Sequence, residues 1–355
     1  MYRLEDLGWG PQFQSQITEP TEDLIPARVA EEQRGAYVLF AERGPLAATV
    51  AGRVMYDAEG REDFPAVGDW VLARPLPRED RAVIQRTLER RSKLSRKEAG
   101  DRTGEQIIAA NVDTVFLVAS LNRELNIRRV ERYLSVIWES GATPAIILNK
   151  ADLSEDAAAQ LRDVERSAPA VDVHVTSAAT GDGVEAIARY FGPGKTVVFV
   201  GSSGVGKSSL VNRLLAGEVQ AVHDIRSDGK GRHTTTSRQM LLVPGGGLII
   251  DTPGLRELQI WDAESGLGQA FADIEALAEA CAFKDCRHER EPGCAIVTAL
   301  RDGTLDGGRL ESYRKLLREQ LHIEMKKDAG LRAAEKKKRK QFWKGHRQRM
   351  RLRGR

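Results

Sequence analysis

Apolar and polar residues alternate in short runs over the first quarter of the chain, then settle into a longer rhythm of apolar segments and amphipathic stretches. Between about Ala27 and Glu89, runs such as Ala36-Tyr37-Val38-Leu39-Phe40, Ala47-Ala48-Thr49-Val50 and Asp69-Trp70-Val71-Leu72-Ala73 are separated by Gly, Pro and charged turns. Half-buried strands at this spacing predict a small closed all-β unit. A five-stranded OB-type barrel fits, and an SH3-like barrel would leave much the same pattern. After residue 110 come the apolar strands Thr114-Val115-Phe116-Leu117-Val118, Pro144-Ala145-Ile146-Ile147-Leu148, Val173-His174-Val175, Thr196-Val197-Val198-Phe199-Val200 and Leu248-Ile249-Ile250. Helical stretches near 127–140, near 184–191 and from 207 lie between them. Strands alternating with helices predict a parallel sheet covered on both faces. Beyond Leu255 the pattern is mainly helical, and no repeat of 20–50 residues runs through the chain.

With 355 residues, two or three separate cores are expected. No apolar run approaches the roughly 18 residues that a membrane span needs. The start, Met1-Tyr2-Arg3-Leu4-Glu5-Asp6-Leu7, carries acidic residues where a secretory signal would be apolar, so a cytoplasmic location is expected. The net charge of +3 hides an asymmetry: residues 326–355 hold 14 of the 54 Lys and Arg but 2 of the 51 Asp and Glu. That tail carries +12 and the remainder −9. A basic end on an acidic body favours an anionic partner, and the interleaved Phe342 and Trp343 point to RNA, whose bases stack on aromatic faces. A solvated tail is the alternative. Arg86, Arg90, Arg91, Lys93, Arg96 and Lys97 form a second basic stretch, along a nucleic-acid backbone or simply in water.

The segment Gly201-Ser202-Ser203-Gly204-Val205-Gly206-Lys207-Ser208 fits G-x-x-x-x-G-K-[ST] between an apolar strand and a helix. Glycines let backbone N–H groups turn around a β-phosphate, and the helix N-terminus adds positive potential. Lys207 is expected to bridge the β- and γ-phosphates as a catalytic group, and the Ser208 hydroxyl to bind Mg²⁺. Asn149-Lys150-Ala151-Asp152 follows the strand ending at Leu148. Its Asp152 carboxylate can accept from N1–H and the 2-amino group of guanine, donors that adenine lacks. Thr176-Ser177-Ala178 matches a loop whose backbone N–H, around Ser177 and Ala178, would meet guanine O6. Asp251-Thr252-Pro253-Gly254 follows another strand, so Asp251 is expected to hold Mg²⁺ through water and Gly254 to offer its N–H to the γ-phosphate. Gly231-Arg232-His233-Thr234-Thr235-Thr236 suits a loop ordered by the γ-phosphate.

The base-reading segments precede the phosphate loop, the reverse of the usual GTPase order, which implies a circular permutation. Leu255 stands where many GTPases have a water-orienting Gln, so catalysis must come from elsewhere. His233 is the candidate water-positioning group, with Thr235 of the same loop as a further catalytic candidate; a switch loop without a catalytic His is the alternative. Cys281, Cys286, His288 and Cys294 are the chain's three cysteines plus one histidine within fourteen residues. Three thiolates and an imidazole predict one structural Zn²⁺ per chain with no open catalytic position.

These motifs in this order, with Val67-Gly68-Asp69-Trp70-Val71 and Ala110-Asn111-Val112-Asp113, closely resemble the RsgA (YjeQ/YloQ) family of small-ribosomal-subunit-dependent, circularly permuted GTPases, over nearly the whole chain. The resemblance implies an N-terminal OB-fold, a central GTPase domain and a C-terminal helical zinc domain. It further implies rRNA binding, late maturation of the small subunit, and GTP hydrolysis to GDP stimulated by that subunit. By motif, Asn149, Lys150 and Asp152 would read guanine; Gly201, Ser202, Ser203, Gly204, Val205, Gly206, Lys207, Ser208 and Ser209 would hold phosphates; and Cys281, Cys286, His288 and Cys294 would hold zinc. The expected division is an extension (1–24), the barrel (25–95), a linker (96–106), the permuted α/β GTPase domain (107–262), the zinc-binding helical domain (263–325) and the basic tail (326–355). A monomer without membrane attachment is expected. A nucleotide-insensitive RNA-binding protein and a GTP-dependent RNA-modification or translation factor are the competing readings.

Overall fold

The period-two pattern of β1 (Ile25–Gln33) sends Ala27 and Val29 into a dry interior and Arg28 to the opposite face. The chain is described by a computed structural model over residues 1–18, 23–33, 35–97, 105–121, 125–215, 238–251, 264–321, 323 and 325. At the N-terminus, α1 (Pro11–Gln14) packs Phe13 against Trp70. Four further strands, β2 (Ala36–Ala41), β3 (Gly44–Val50), β4 (Trp70–Pro75) and β5 (Arg81–Thr87), join β1 in the ring β1-β2-β3-β5-β4-β1. The β3–β5 pair is parallel and the others antiparallel. A five-stranded ring of this kind, with α2 (Gly52–Asp57) between β3 and β4, is the predicted OB-type barrel. Leu39, Leu46, Val71 and Ile84 fill it from alternating positions.

Arg28 is 1% exposed although it points away from the barrel core. Its guanidinium donates to the carbonyls of Gly68 (3.1 Å), Asn111 (3.0 Å) and Leu7, and lies over the Trp70 ring. One side chain thereby ties the N-terminal segment, the barrel and the entrance to the next domain. Replacing it with Met would take the donor from the Leu7 carbonyl, while the Gly68 carbonyl keeps Asn111 Nδ2 (3.1 Å) and the Asn111 carbonyl keeps Arg91 (3.4 Å). Arg28→Met is expected to cost about 1–3 kcal/mol in denaturant unfolding; a loss under about 0.5 kcal/mol would show that water satisfies the Leu7 carbonyl.

The barrel is followed by an antiparallel ribbon of β6 (Lys93–Lys97) and β7 (Glu105–Ala110), which flanks most of the expected linker. Next come β8 (Thr114–Ser120), α3 (Ile127–Glu139), β9 (Thr143–Asn149), α4 (Ala157–Ser167), β10 (Asp172–Val175), α5 (Val184–Ala188), β11 (Thr196–Val200), α6 (Lys207–Leu215), β12 (Arg238–Leu242) and β13 (Leu248–Asp251). The strands lie in the order β10-β9-β8-β11-β13-β12; all are parallel except β12. After β8 the chain winds outward to β9 and β10, and then returns to β8's other side as β11. That reversal is a topological switch point, where the carboxyl ends of strands open a binding crevice.

Barrel and parallel sheet are joined edge to edge, because β1 pairs with β12 through Glu31 opposite Gln239 and Glu32 opposite Arg238. The C-terminal helices α7 (Glu264–Ala270), α8 (Ala272–Glu279) and α9 (Ala295–Arg301) and the helix over 307–321 follow. Gly266 brings α7 against α3 so closely that a Cβ there would lie 2.1 Å from the Ser135 carbonyl oxygen. Arg309 locks the seat: it donates to Glu131 (3.0 Å), to Asp273 (2.7 and 2.8 Å), and to the carbonyls of Ser167 and Ala270. With every donor direction used, this buried cation is compensated. Among the described residues, no helix is long and apolar enough to cross a membrane.

Candidate functional site

The carboxyl ends of β9, β10, β11 and β13 lie along one edge of the sheet, and the segments 149–152, 176–178 and 201–208 and Asp251 begin there. Strand β11 ends at Val200, and residues 201–206 turn into α6, whose first residue is Lys207. Gly201, Gly204 and Gly206 take φ of 138°, 81° and 96°, backbone that lets successive N–H groups face one centre. Lys207 Nζ donates to the carbonyls of Gly201 and Ser202, each at 2.8 Å. The ammonium is therefore stored across the mouth of the loop. Ser208 and Ser209 are exposed in the first turn of α6.

The base-side segments are joined to this loop by direct bonds. Asn149, the last residue of β9, is 1% exposed. Its Nδ2 donates to the Val205 carbonyl (2.9 Å), while its Oδ1 accepts from Thr176 Oγ1 (3.2 Å) and Ala178 N (3.0 Å). Asn149 thus fixes the distance between the phosphate loop and the 176–178 loop. A Cβ on Gly206 would sit 2.2 Å from Asn149 Nδ2, so this bridge needs glycine there. Lys150 takes the left-handed conformation (φ 65°), which turns the chain so that Asp152 returns to the site. Ser177 Oγ donates to Asp152 Oδ1 at 2.5 Å, orienting an exposed carboxylate. The arrangement offers an oriented acceptor, spaced from the phosphate cradle by Asn149; the expected backbone donors of the base loop are spent internally, Thr176 N on the Leu148 carbonyl, Ser177 N on the Asp182 carbonyl and Ala178 N on Asn149 Oδ1.

Asp251 ends β13 on the same edge. His233, Thr235 and Gly254 lie outside the described residues, as does the basic tail. Two contributors escaped the sequence pattern. Arg213 of α6 donates to the carbonyls of Ala178 (2.9 Å) and Ala179 (2.7 Å), fastening the base loop to the phosphate-loop helix. Arg129 Nη1 donates to Ser202 Oγ at 2.9 Å. The signal for Arg129 was its position: cations in a helix's first turn oppose its dipole and call for a local acceptor.

A second cluster lies between α8 and α9. The ligand atoms of Cys281, Cys286, His288 and Cys294 are all within 4.8 Å of one another, a set that could hold a metal ion. His288 presents Nδ1, 3.5 Å from Cys281 Sγ and 3.6 Å from Cys294 Sγ; the two sulfurs are 3.8 Å apart. Cys294 also caps α9, accepting from Val297 N (3.5 Å). The intervening loop is held by Glu291, whose carboxylate accepts from the backbone N–H groups of Arg287, Glu289 and Arg290. Those donors hold its pKa down to about 2.

Comparison with known proteins follows the geometry. A family model described as RsgA GTPase matches residues 87–261. A protein of Opitutus terrae named small ribosomal subunit biogenesis GTPase RsgA is 46% identical, over 99% of each chain. The crystal structure of YjeQ from Thermotoga maritima superposes with a TM-score of 0.65 at 27% identity, covering 84% of this chain and 99% of that one. That of YloQ, described as a circularly permuted GTPase, gives 0.61 at 25% identity, covering 86% and 98%.

Proposed function

The chain belongs to the RsgA GTPase family, and on that footing we propose that it binds the small ribosomal subunit and assists its late maturation, hydrolysing GTP to GDP and phosphate. The observation that carries the nucleotide assignment is the bridge from Val205 through Asn149 to Ala178, which joins a phosphate loop to a base loop in one rigid unit. In this reading Lys207 leaves the Gly201 and Ser202 carbonyls for the β- and γ-phosphates, and the 201–206 backbone donates to their oxygens. Asp152, held by Ser177, accepts from the guanine edge. Ser208 and, through water, Asp251 would hold Mg²⁺, which supplies charge neutralisation to the phosphates. His233 is proposed to position the attacking water and Thr235 to assist.

The OB-type barrel, the cysteine-bearing module and the 326–355 tail are proposed to meet rRNA in the cytoplasm, with the protein acting as a monomer. GTP is proposed to favour the subunit-bound complex and hydrolysis to release it. The test is GTP turnover by purified protein with and without small subunits, with ATP and large subunits as controls. Strong, GTP-specific stimulation by the small subunit alone is expected. No stimulation, or equal stimulation by large subunits, would overturn the subunit assignment and leave the nucleotide site standing.

We assign zinc to the Cys281, Cys286, His288 and Cys294 cluster. Metal–sulfur and metal–nitrogen bonds of about 2.3 and 2.0 Å in a tetrahedron give edges of about 3.8 and 3.5 Å. The separations between Cys281, Cys294 and His288 Nδ1 match them. Four ligands close the shell, so its contribution is structural. Purified protein is expected to contain one zinc per chain by elemental analysis, and Cys286→Ser to lose most of it and melt earlier. Fully folded wild type with negligible zinc would refute the assignment.

A further inference from the structure

Arg129 sits in the first turn of α3, where its backbone N–H is capped by Asn126 Oδ1 (3.1 Å) and its side chain reaches across to the phosphate loop. Nη1 donates to Ser202 Oγ at 2.9 Å. Neighbouring Arg128 is accounted for by Glu131 (3.4 Å) and Asp306 (3.8 Å); Arg129 instead holds a neutral hydroxyl. Behind the contact, packing holds the loop at Gly201 and Val205 but leaves space beside Ser202. A cavity of about 30 Å³ opens between β8, α3 and the loop, lined by Ser120, Asn126, Arg129, Tyr133, Ser202 and Val205, and the buried Ser120 hydroxyl there has no hydrogen-bond partner. Ser202 is otherwise held through its carbonyl by Lys207, a bond that must break when Lys207 turns to phosphates. The Arg129 bond does not depend on where Lys207 points.

A grip is only as steady as its anchor, and α3 is anchored firmly. Glu131, two residues on, is paired with Arg309; Arg132 is paired with Glu319; Glu139 Oε2 accepts from Gly266 N at 2.9 Å. We propose that Arg129 is a positioning residue of the phosphate loop, fixing Ser202 to α3, the helix on which the C-terminal helices are seated, so that the loop keeps its shape while Lys207 serves the nucleotide. This rests on the GTPase function proposed above.

The test is a double-mutant cycle in the full-length protein, read as the dissociation rate of fluorescently labelled GDP and as kcat and KM for GTP. Arg129→Ala is expected to release nucleotide about tenfold faster, the worth of one hydrogen bond to a charged group. KM should rise in step, kcat should change far less, and the melting temperature should hold because the side chain is exposed. Ser202→Ala should do the same, and the double variant no more than either single one. Arg129→Lys, which keeps a charged donor where one nitrogen makes the contact, should stay within about threefold of wild type. Unchanged release in Arg129→Ala, or effects that multiply in the double variant, would overturn the inference while wild-type GTP binding leaves the proposed function intact. Wild type that binds no guanine nucleotide would sink both.

Discussion

Lys207→Ala is expected to lower kcat/KM for GTP by about 10²–10³-fold, the scale of removing one preorganised charge-stabilising donor. Lys207 is the residue whose ammonium spans the mouth of the phosphate loop, 2.8 Å from two of its carbonyls. Those bonds cost little to exchange for phosphate oxygens, since the donor count is unchanged and the acceptors gain charge. In the mechanism proposed above, alanine removes the positive group that would follow charge as it develops on the transferred phosphoryl. The loop itself should survive: Gly201, Gly204 and Gly206 set its backbone, and Asn149 still holds Val205. Melting and circular dichroism should therefore match wild type while turnover collapses, with and without small subunits. Activity within tenfold of wild type would mean that phosphate chemistry occurs elsewhere.

The second large effect concerns which base is accepted. An acceptor built for two donors and offered none discriminates by about 10⁴-fold or more, because a base seated on it shuts out water and leaves it unpaired. Asp152, proposed above to read the base, is held by Ser177 at 2.5 Å on a turn created by Lys150 in the left-handed region. Asp152→Asn replaces one acceptor with an N–H donor. Guanine's 2-amino group would then face a donor, whereas xanthine, with a carbonyl oxygen at that position, would face a partner. GTP turnover at fixed concentration should fall by several orders of magnitude and XTP should become the better substrate. Hydrolysis of GTP, XTP and ATP in parallel gives the answer. A variant that still prefers GTP would remove Asp152 from base recognition.

Much of this site was legible because each piece is local. A phosphate loop is eight consecutive residues between a strand and a helix, and its glycines are demanded by backbone geometry that no other residue takes as readily. The metal cluster is legible for the same reason: Cys281 to Cys294 spans fourteen positions, and four ligands so close in sequence can close a tetrahedron without distant help. Asn149 was legible only in part. Its place at a strand end marked it for the base, but its amide is spent on Val205 and Ala178, 56 and 29 residues away. It sets the spacing of the site, while Asp152 keeps an exposed carboxylate.

The barrel was legible as strand rhythm and ambiguous as topology. Period-two runs say that a face is buried; they do not say which strand closes the ring. The parallel β3–β5 pair and the β1–β4 closure decided for the OB-type arrangement over an SH3-like one. Arg28 shows how far local pattern can mislead. Its outward register predicts solvent, and yet Leu7, Gly68 and Asn111, from three separate parts of the chain, bury it.

The sequence by itself determined which groups are present and how they are spaced: the glycines of 201–206, Lys207, Asp152, three cysteines and a histidine suit the proposed nucleotide and metal chemistry, and their spacing is short-range and dictated by backbone geometry. Tertiary structure alone decided how those groups are coupled. The β1–β12 pairing joins residues about 200 positions apart, Arg309 reaches Glu131 across 178, and Arg129 reaches Ser202 across 73. Such contacts leave no periodic trace along the chain, because they depend on which surfaces meet once each element has buried its own apolar face.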